Sequence, residues 1–200
     1  GLAVVFDTAK PTFRHEMYSE YKATRDETPP DLIDQLPLVD KLVAAFGFAT
    51  FRVPGVEADD VIATLADAAQ EKGLAAVVVS GDKDLLQLVR DGVSVYDPHK
   101  GDSGKWYAAD DVVERYGVTP EHIRDMFGLM GDSSDNVPGV KGIGEKTARK
   151  LLEQYGSIEG VYAHIDQLKG KQRENLEQHK EEAFLSRELP YLYLREIRLE

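Results

Sequence analysis

The chain contains no cysteine, which excludes disulfide staples and cysteine-ligated zinc and fits a reducing, cytoplasmic setting. No apolar run approaches the roughly 18 residues that a membrane-spanning helix needs. No basic-then-apolar leader opens it, because Gly1 runs directly into the apolar segment Leu2–Phe6. The five histidines (His15, His99, His122, His164, His179) are scattered without ligand spacing and read as surface or structural residues. Positive charge is also short: the net charge is −12, which at face value argues against a nucleic-acid partner. What remains is a globular protein of 200 residues, enough for one large or two small domains.

What the chain does have is acid in four short clusters, each where a strand or helix should end. They are Asp7 in VVFD, Glu57/Asp59/Asp60 in VEADD, Asp82/Asp84 in VVVSGDKD, and Asp132/Asp135 in MGDSSDN. Brought to one cleft, eight carboxylates would repel one another unless hard divalent cations neutralised them. Oxygen-only donors favour Mg²⁺ or Mn²⁺ over zinc. Two such ions about 4 Å apart can activate water and stabilise the leaving oxygen of a phosphodiester. Each cluster also has a plainer reading. Acids at helix starts are common caps, and a lone strand-end aspartate can be a turn residue. Strand-end Asp7 would also suit an aspartyl-phosphate phosphatase, but that chemistry wants a second acid two residues on, where Ala9 stands.

The periodicity predicts strand–helix–strand alternation, hence a doubly wound, mostly parallel α/β core. Strands are expected at Leu2–Phe6, Phe48–Val53, Ala75–Ser80 and Val93–Tyr96. Helices are expected over Glu57–Lys72, over Lys83–Arg90, and from Pro29-Pro30 through Phe46 with a kink at Pro37. Residues 8–28 lack clean periodicity and read as a loop or marginal helix. Residues 98–106 read as a polar loop. From there the chain turns helical, so the boundary is set near 107: an α/β core over 1–107 and a helical region over 108–200.

Within the helical region, helix 120–130, turn VPGVKGIG and helix 145–155 form a helix–hairpin–helix pattern over about 120–156. Gly139, Gly142 and Gly144 let the backbone approach a phosphate closely, and the next helix offers unpaired N–H groups to the same anion. Lys141, Lys146, Thr147 and Lys150 add side-chain contacts. Such contacts read backbone rather than bases, so binding should be sequence-independent and salt-sensitive. The plainer reading is a glycine-rich turn between packed helices. The stretches 10–25 and 141–153 each set four cations against two acids, which answers part of the charge objection. In the first stretch, with Lys10, stand Arg14, Lys22 and Arg25, either a solvated face or a group that steadies the charge developing on a scissile phosphate.

The blocks VVFD, FRHE, YKATR, VEADDVIATLA, GDKDLLQL and GDSSDNVPGVKGIGEKTARKLL, in this order, make the chain resemble the 5′-nuclease domain of bacterial DNA polymerase I, kin to flap endonucleases. The resemblance implies a PIN-like core, an arch over about 8–28 and a helix-three-turn-helix DNA-binding region. It implies Mg²⁺-dependent hydrolysis of DNA 5′ flaps and 5′ ends, in replication and repair near the nucleoid. By motif match, Asp7, Glu57, Asp59, Asp60, Asp82, Asp84, Asp132 and Asp135 take the metal-binding positions. Lys22 and Arg25 take the basic arch-base pair, with a K⁺ expected at the hairpin. Relatives begin with an earlier strand ending in Asp-Gly, so an N-terminally truncated piece, monomeric and fused to a polymerase in its parent, is the expectation. The rival expectation is a DNA-junction binder that does not cut.

Overall fold

The computed structural model describes residues 1–8 and 11–192; Lys10 therefore lies outside the described residues. The first half carries five short strands. β1 (Ala3–Val5) pairs in parallel with β2 (Ala49–Phe51), Ala3 opposite Ala49. β3 (Ala76–Val79) pairs in parallel with β4 (Val93–Asp97), and β4 pairs antiparallel with β5 (Lys105–Tyr107). The expected α/β class is present, but its strands form two sheets, β1-β2 and β3-β4-β5, rather than one.

Between them runs α4 (Ala58–Glu71), the longest helix among the described residues. Val61 turns toward the first sheet, where it joins Val5, Phe51 and Phe13, while Ala63 and Ala66 turn toward Val78 and Val93 in the second. Val61 is almost fully buried, a gain of about 1.5–3 kcal/mol for a side chain of that size. The helix starts where Asp60 reaches back to accept from the Glu57 backbone N–H at 3.0 Å. It stops at Gly73, whose φ of +70° suits only glycine without strain.

Among the described residues of 8–28 there is one short helix, α1 (Phe13–Met17), followed by turns. The long helix expected over 29–46 is two helices, α2 (Pro30–Ile33) and α3 (Leu36–Ala45). Pro37 does not kink it: it lies in the first turn of α3, where its missing N–H has no intrahelical partner to lose, and the break falls at Asp34–Gln35. The short helix expected over Lys83–Arg90 is a 3-10 helix over Lys83–Leu88, more tightly wound than an α-helix. The polar loop over 98–106 is shorter than expected, since Lys105 and Trp106 belong to β5 and the Trp106 ring meets Tyr96 at 5.0 Å. Three residues after Gly104 are too few to show strand alternation.

The second half is helical: α5 (Ala109–Tyr116), α6 (Ile123–Met130), α7 (Glu145–Tyr155), α8 (Ile158–Ala163), α9 (Gly170–Gln178) and α10 (Lys180–Glu188). A 3-10 turn, Pro120–His122, leads into α6. α6 is the hub, packed on α7 and α10, with Ile123, Met126, Phe127 and Leu129 at most 1% exposed. Its core is continuous with that of the second sheet, so the two halves share one apolar interior.

Candidate metal centre and nucleic-acid interface

Four chain turns deliver the acids. Asp7 follows β1 and accepts from the Ala58 N–H at 2.8 Å, so it caps α4 as well as facing the cleft. Asp82 leaves β3 and accepts from the Asp84 N–H at 2.9 Å, which starts the 3-10 turn. Asp132 and Asp135 sit past α6, in a turn closed by Asp132 N–H to Val137 O at 2.9 Å and its reciprocal at 2.8 Å. Gly139 allows that turn to lie on the end of α6: a Cβ there would stand 2.2 Å from the Gly131 nitrogen.

Asp84, Asp132 and Asp135 each bring a carboxylate oxygen within 4.8 Å of the others. Burial drives the Asp84 pKa up to about 8, aided by Asp82, Asp132 and Asp135. One Asp84 oxygen, Oδ1, is buried with no hydrogen-bond partner. Burial also lifts Asp59 to about 7, with Asp82, Glu57 and Asp7 adding repulsion. Crowded, desolvated carboxylates with an unpartnered oxygen match a hard divalent cation, which accepts several oxygens and reverses the electrostatic penalty.

Cations already thread the cleft. Lys22 Nζ donates to Glu57 at 2.8 Å and stands 3.7 Å from Asp135; Arg25 pairs with Asp135. Lys22 is held by its own N–H on Asp135 O at 2.9 Å, in a left-handed conformation (φ 57°) that is rare for a side chain of this size. Lys83 donates to Asp132 at 2.7 Å. Burial works to raise Asp132, but hydrogen bonds from Lys83 and Ser134 outweigh it and hold the carboxyl below its usual range.

Two expectations are corrected. Asp60 does not face the cleft, and Arg14 does not face solvent. Arg14 is 1% exposed and Asp60 0%. They form a bidentate pair at 2.7 and 2.9 Å beneath the start of α4. Asp60 is therefore committed to Arg14 and to the helix cap, and Arg14 cannot reach DNA. A basic stretch read in one dimension cannot show which of its members turns inward.

Lys83, Ser134 and Tyr21 were given no role in the site from the sequence. Tyr21 is 4% exposed and its hydroxyl lies 3.1 Å from Glu57 and 3.3 Å from Asp135, bridging acids 78 residues apart. Only Lys83 had a signal, its place between Asp82 and Asp84.

The hairpin is arranged the other way. Lys141, Gly142, Gly144, Lys146 and Lys150 are exposed and Thr147 half-buried. Gly142 takes φ 79°, and the Lys141 carbonyl accepts from Asn175 at 2.8 Å, which ties the turn to α9. Gly144 precedes α7, which no side chain among the described residues caps, while the Thr147 and Ala148 N–H groups already bond the Gly144 carbonyl at 3.0 and 2.9 Å.

Comparison with known proteins agrees with this layout. Residues 1–117 match the family described as 5′-3′ exonuclease, N-terminal resolvase-like domain, and residues 118–196 match 5′-3′ exonuclease, C-terminal SAM fold. The chain is 50% identical over 190 residues to DNA polymerase I of Bacillus caldotenax, covering 94% of this chain and 22% of that protein. It is 47% identical over 187 residues to the thermostable DNA polymerase I of Thermus thermophilus, covering 93% and 22%. The chain thus spans about a fifth of the length of these curated relatives. Among solved structures, a T5 5′-exonuclease with bound divalent zinc ions superposes with a TM-score of 0.79 at 30% identity, covering 95% of this chain and 73% of that one. A bacteriophage T5 flap endonuclease in a pseudo-enzyme–product complex with DNA and metal ions gives 0.76 at 30%, covering 94% and 74%.

Proposed function

This chain belongs to the 5′-3′ exonuclease family, and on that premise we propose that it hydrolyses DNA phosphodiesters at 5′ flaps and 5′ ends with two Mg²⁺ or Mn²⁺ ions. The observation that carries this reading is the Asp84–Asp132–Asp135 convergence with its unpartnered Asp84 oxygen. Asp7, Glu57, Asp59 and Asp82 extend that donor set toward β1 and α4. When bound, the ions supply an activated water and charge stabilisation at the phosphate.

The chain's own residues hold and aim the DNA. Lys22 and Arg25 sit where the acids meet and can exchange their carboxylates for a phosphate once ions neutralise the cleft. The hairpin Val137–Gly144 and the start of α7 grip duplex backbone through N–H groups, Lys141, Lys146, Thr147 and Lys150. A K⁺ at the hairpin would add to that grip. The chain acts as a monomeric nuclease part of a polymerase, in the cytoplasm on the nucleoid; no helix of the described residues is long and apolar enough to cross a membrane.

Cleavage of a labelled 5′-flap DNA, with Mg²⁺ and with an EDTA control, tests the proposal. Metal-dependent incision near the junction is the expected result. Binding without incision would replace it with a junction-binding role.

A further inference from the structure

The chain leaving α10 runs directly beneath the acid cluster, and three consecutive carbonyls there are held by two side chains. Arg14 Nε donates to Leu189 O at 2.6 Å and Arg14 Nη2 to Tyr191 O at 2.9 Å. Gln87 Nε2 donates to Pro190 O at 2.8 Å. The same two side chains hold the turns that carry the acids. Arg14 grips Asp60, which fixes the first turn of α4 behind Glu57 and Asp59. Gln87 gives its other N–H to the Asp84 carbonyl at 2.7 Å. Above them, Pro190 shares a small cavity with Tyr21, Asp84, Asp132 and Asp135. Leu189 is fully buried and packs with Tyr21, the residue whose hydroxyl bridges Glu57 and Asp135.

From this we infer that Leu189–Tyr191 is a strut for the metal centre, and that Arg14 and Gln87 are positioning residues that transmit it to the acids. Neither side chain faces the cleft as a ligand. Each joins an acid-bearing turn to a segment more than 100 residues away in sequence. The spacing of the acids thereby depends on where the polypeptide goes after α10. Hydrogen-bond partners behind metal ligands set ligand orientation, and losing one typically weakens metal binding about 10–100-fold.

The inference rests on the metal reading above, and the test separates the two. Mn²⁺ binding is measured by the electron spin resonance signal of the free ion for the full chain and for Gln87→Met. That change keeps side-chain length but removes both donors. Circular dichroism and thermal melting are recorded without metal. The expected result is a folded variant whose Mn²⁺ dissociation constant rises about tenfold. An unchanged dissociation constant, even with a lower melting temperature, would overturn the inference by leaving Gln87 a merely structural role. Should Gln87→Met fail to fold, Arg14→Lys decides on the same reading, since it keeps the charge beside Asp60 but cannot span both carbonyls. A wild-type chain that binds no Mn²⁺ would overturn the metal reading, and the strut with it.

Discussion

In the cleft the cations are engaged: Lys22 with Glu57, Arg25 with Asp135, Lys83 with Asp132. In the hairpin, Lys141, Lys146 and Lys150 are exposed and make no ion pair among the described residues. Both regions are short turns rich in charge, yet one spends its charges on itself and the other presents them outward. Burial decides which. A desolvated carboxylate must find a partner or give up its charge, whereas an exposed lysine has water. Under the proposed function, the cleft would exchange partners when ions and substrate arrive, and the hairpin would meet an anion with nothing to displace.

The contrast predicts a separation of effects. Asp132→Ala should lower turnover at saturating DNA by at least ~100-fold, in line with removal of a preorganised electrostatic group, while leaving the DNA dissociation constant within a few-fold. Single-turnover cleavage and anisotropy binding check the two halves. A comparable loss of DNA affinity would erase the distinction between the regions.

Next in size is Gly139→Ala, which strikes the joint between them. Its φ is +60°, and the new Cβ would collide with the Gly131 backbone, so a loss of about 1–3 kcal/mol or more is expected. Chemical denaturation measures it. A neutral result would mean that the hairpin can shift without disturbing Asp132.

The cleft alone should titrate. Asp59 and Asp84 have folded pKa values of about 7 and about 8, raised above the unfolded carboxylate value. The folded state then binds more protons than the unfolded one between about pH 4 and pH 8, so their contribution is present in acid and is lost as pH rises through those values. In EDTA the melting temperature should fall from pH 5 to pH 8.5. Mg²⁺ should restore it most at the higher pH, because binding needs the deprotonated acids. A metal effect that shrank with rising pH would contradict the cleft's electrostatics.

The smallest effect belongs to the hairpin. Lys146→Ala should weaken DNA binding only a few-fold and evenly across sequences, with the salt slope reduced by about 1. An unchanged slope would remove Lys146 from the interface.

Much of the fold was legible because its signals are local. Val61, Ile62 and Leu65 mark a helical face, AVVV at 76–79 marks a strand, although only Val78 of it is buried and Val77 and Val79 stand exposed, and Gly117 and Gly156 mark helix ends. The breaks were less so. Pro37 looks like a kink until the helix start is known, and β5, three residues long, is shorter than the run of at least four over which alternation shows. In the site, the acids were visible by type and position at strand and helix ends. Arg14 was misplaced because sequence neighbours share no common exposure, and Tyr21 escaped because its bridge joins residues 36 and 114 positions away.

The amino-acid order by itself determined the donor chemistry, the element types and the glycines that permit the hairpin, since these depend on residue identity and near neighbours. Tertiary structure alone decided which charges are spent in pairs. It buried Arg14 with Asp60, raised Asp84, and laid Leu189–Tyr191 beneath the acids. Those outcomes depend on distance and desolvation, which exist only once the chain is closed on itself.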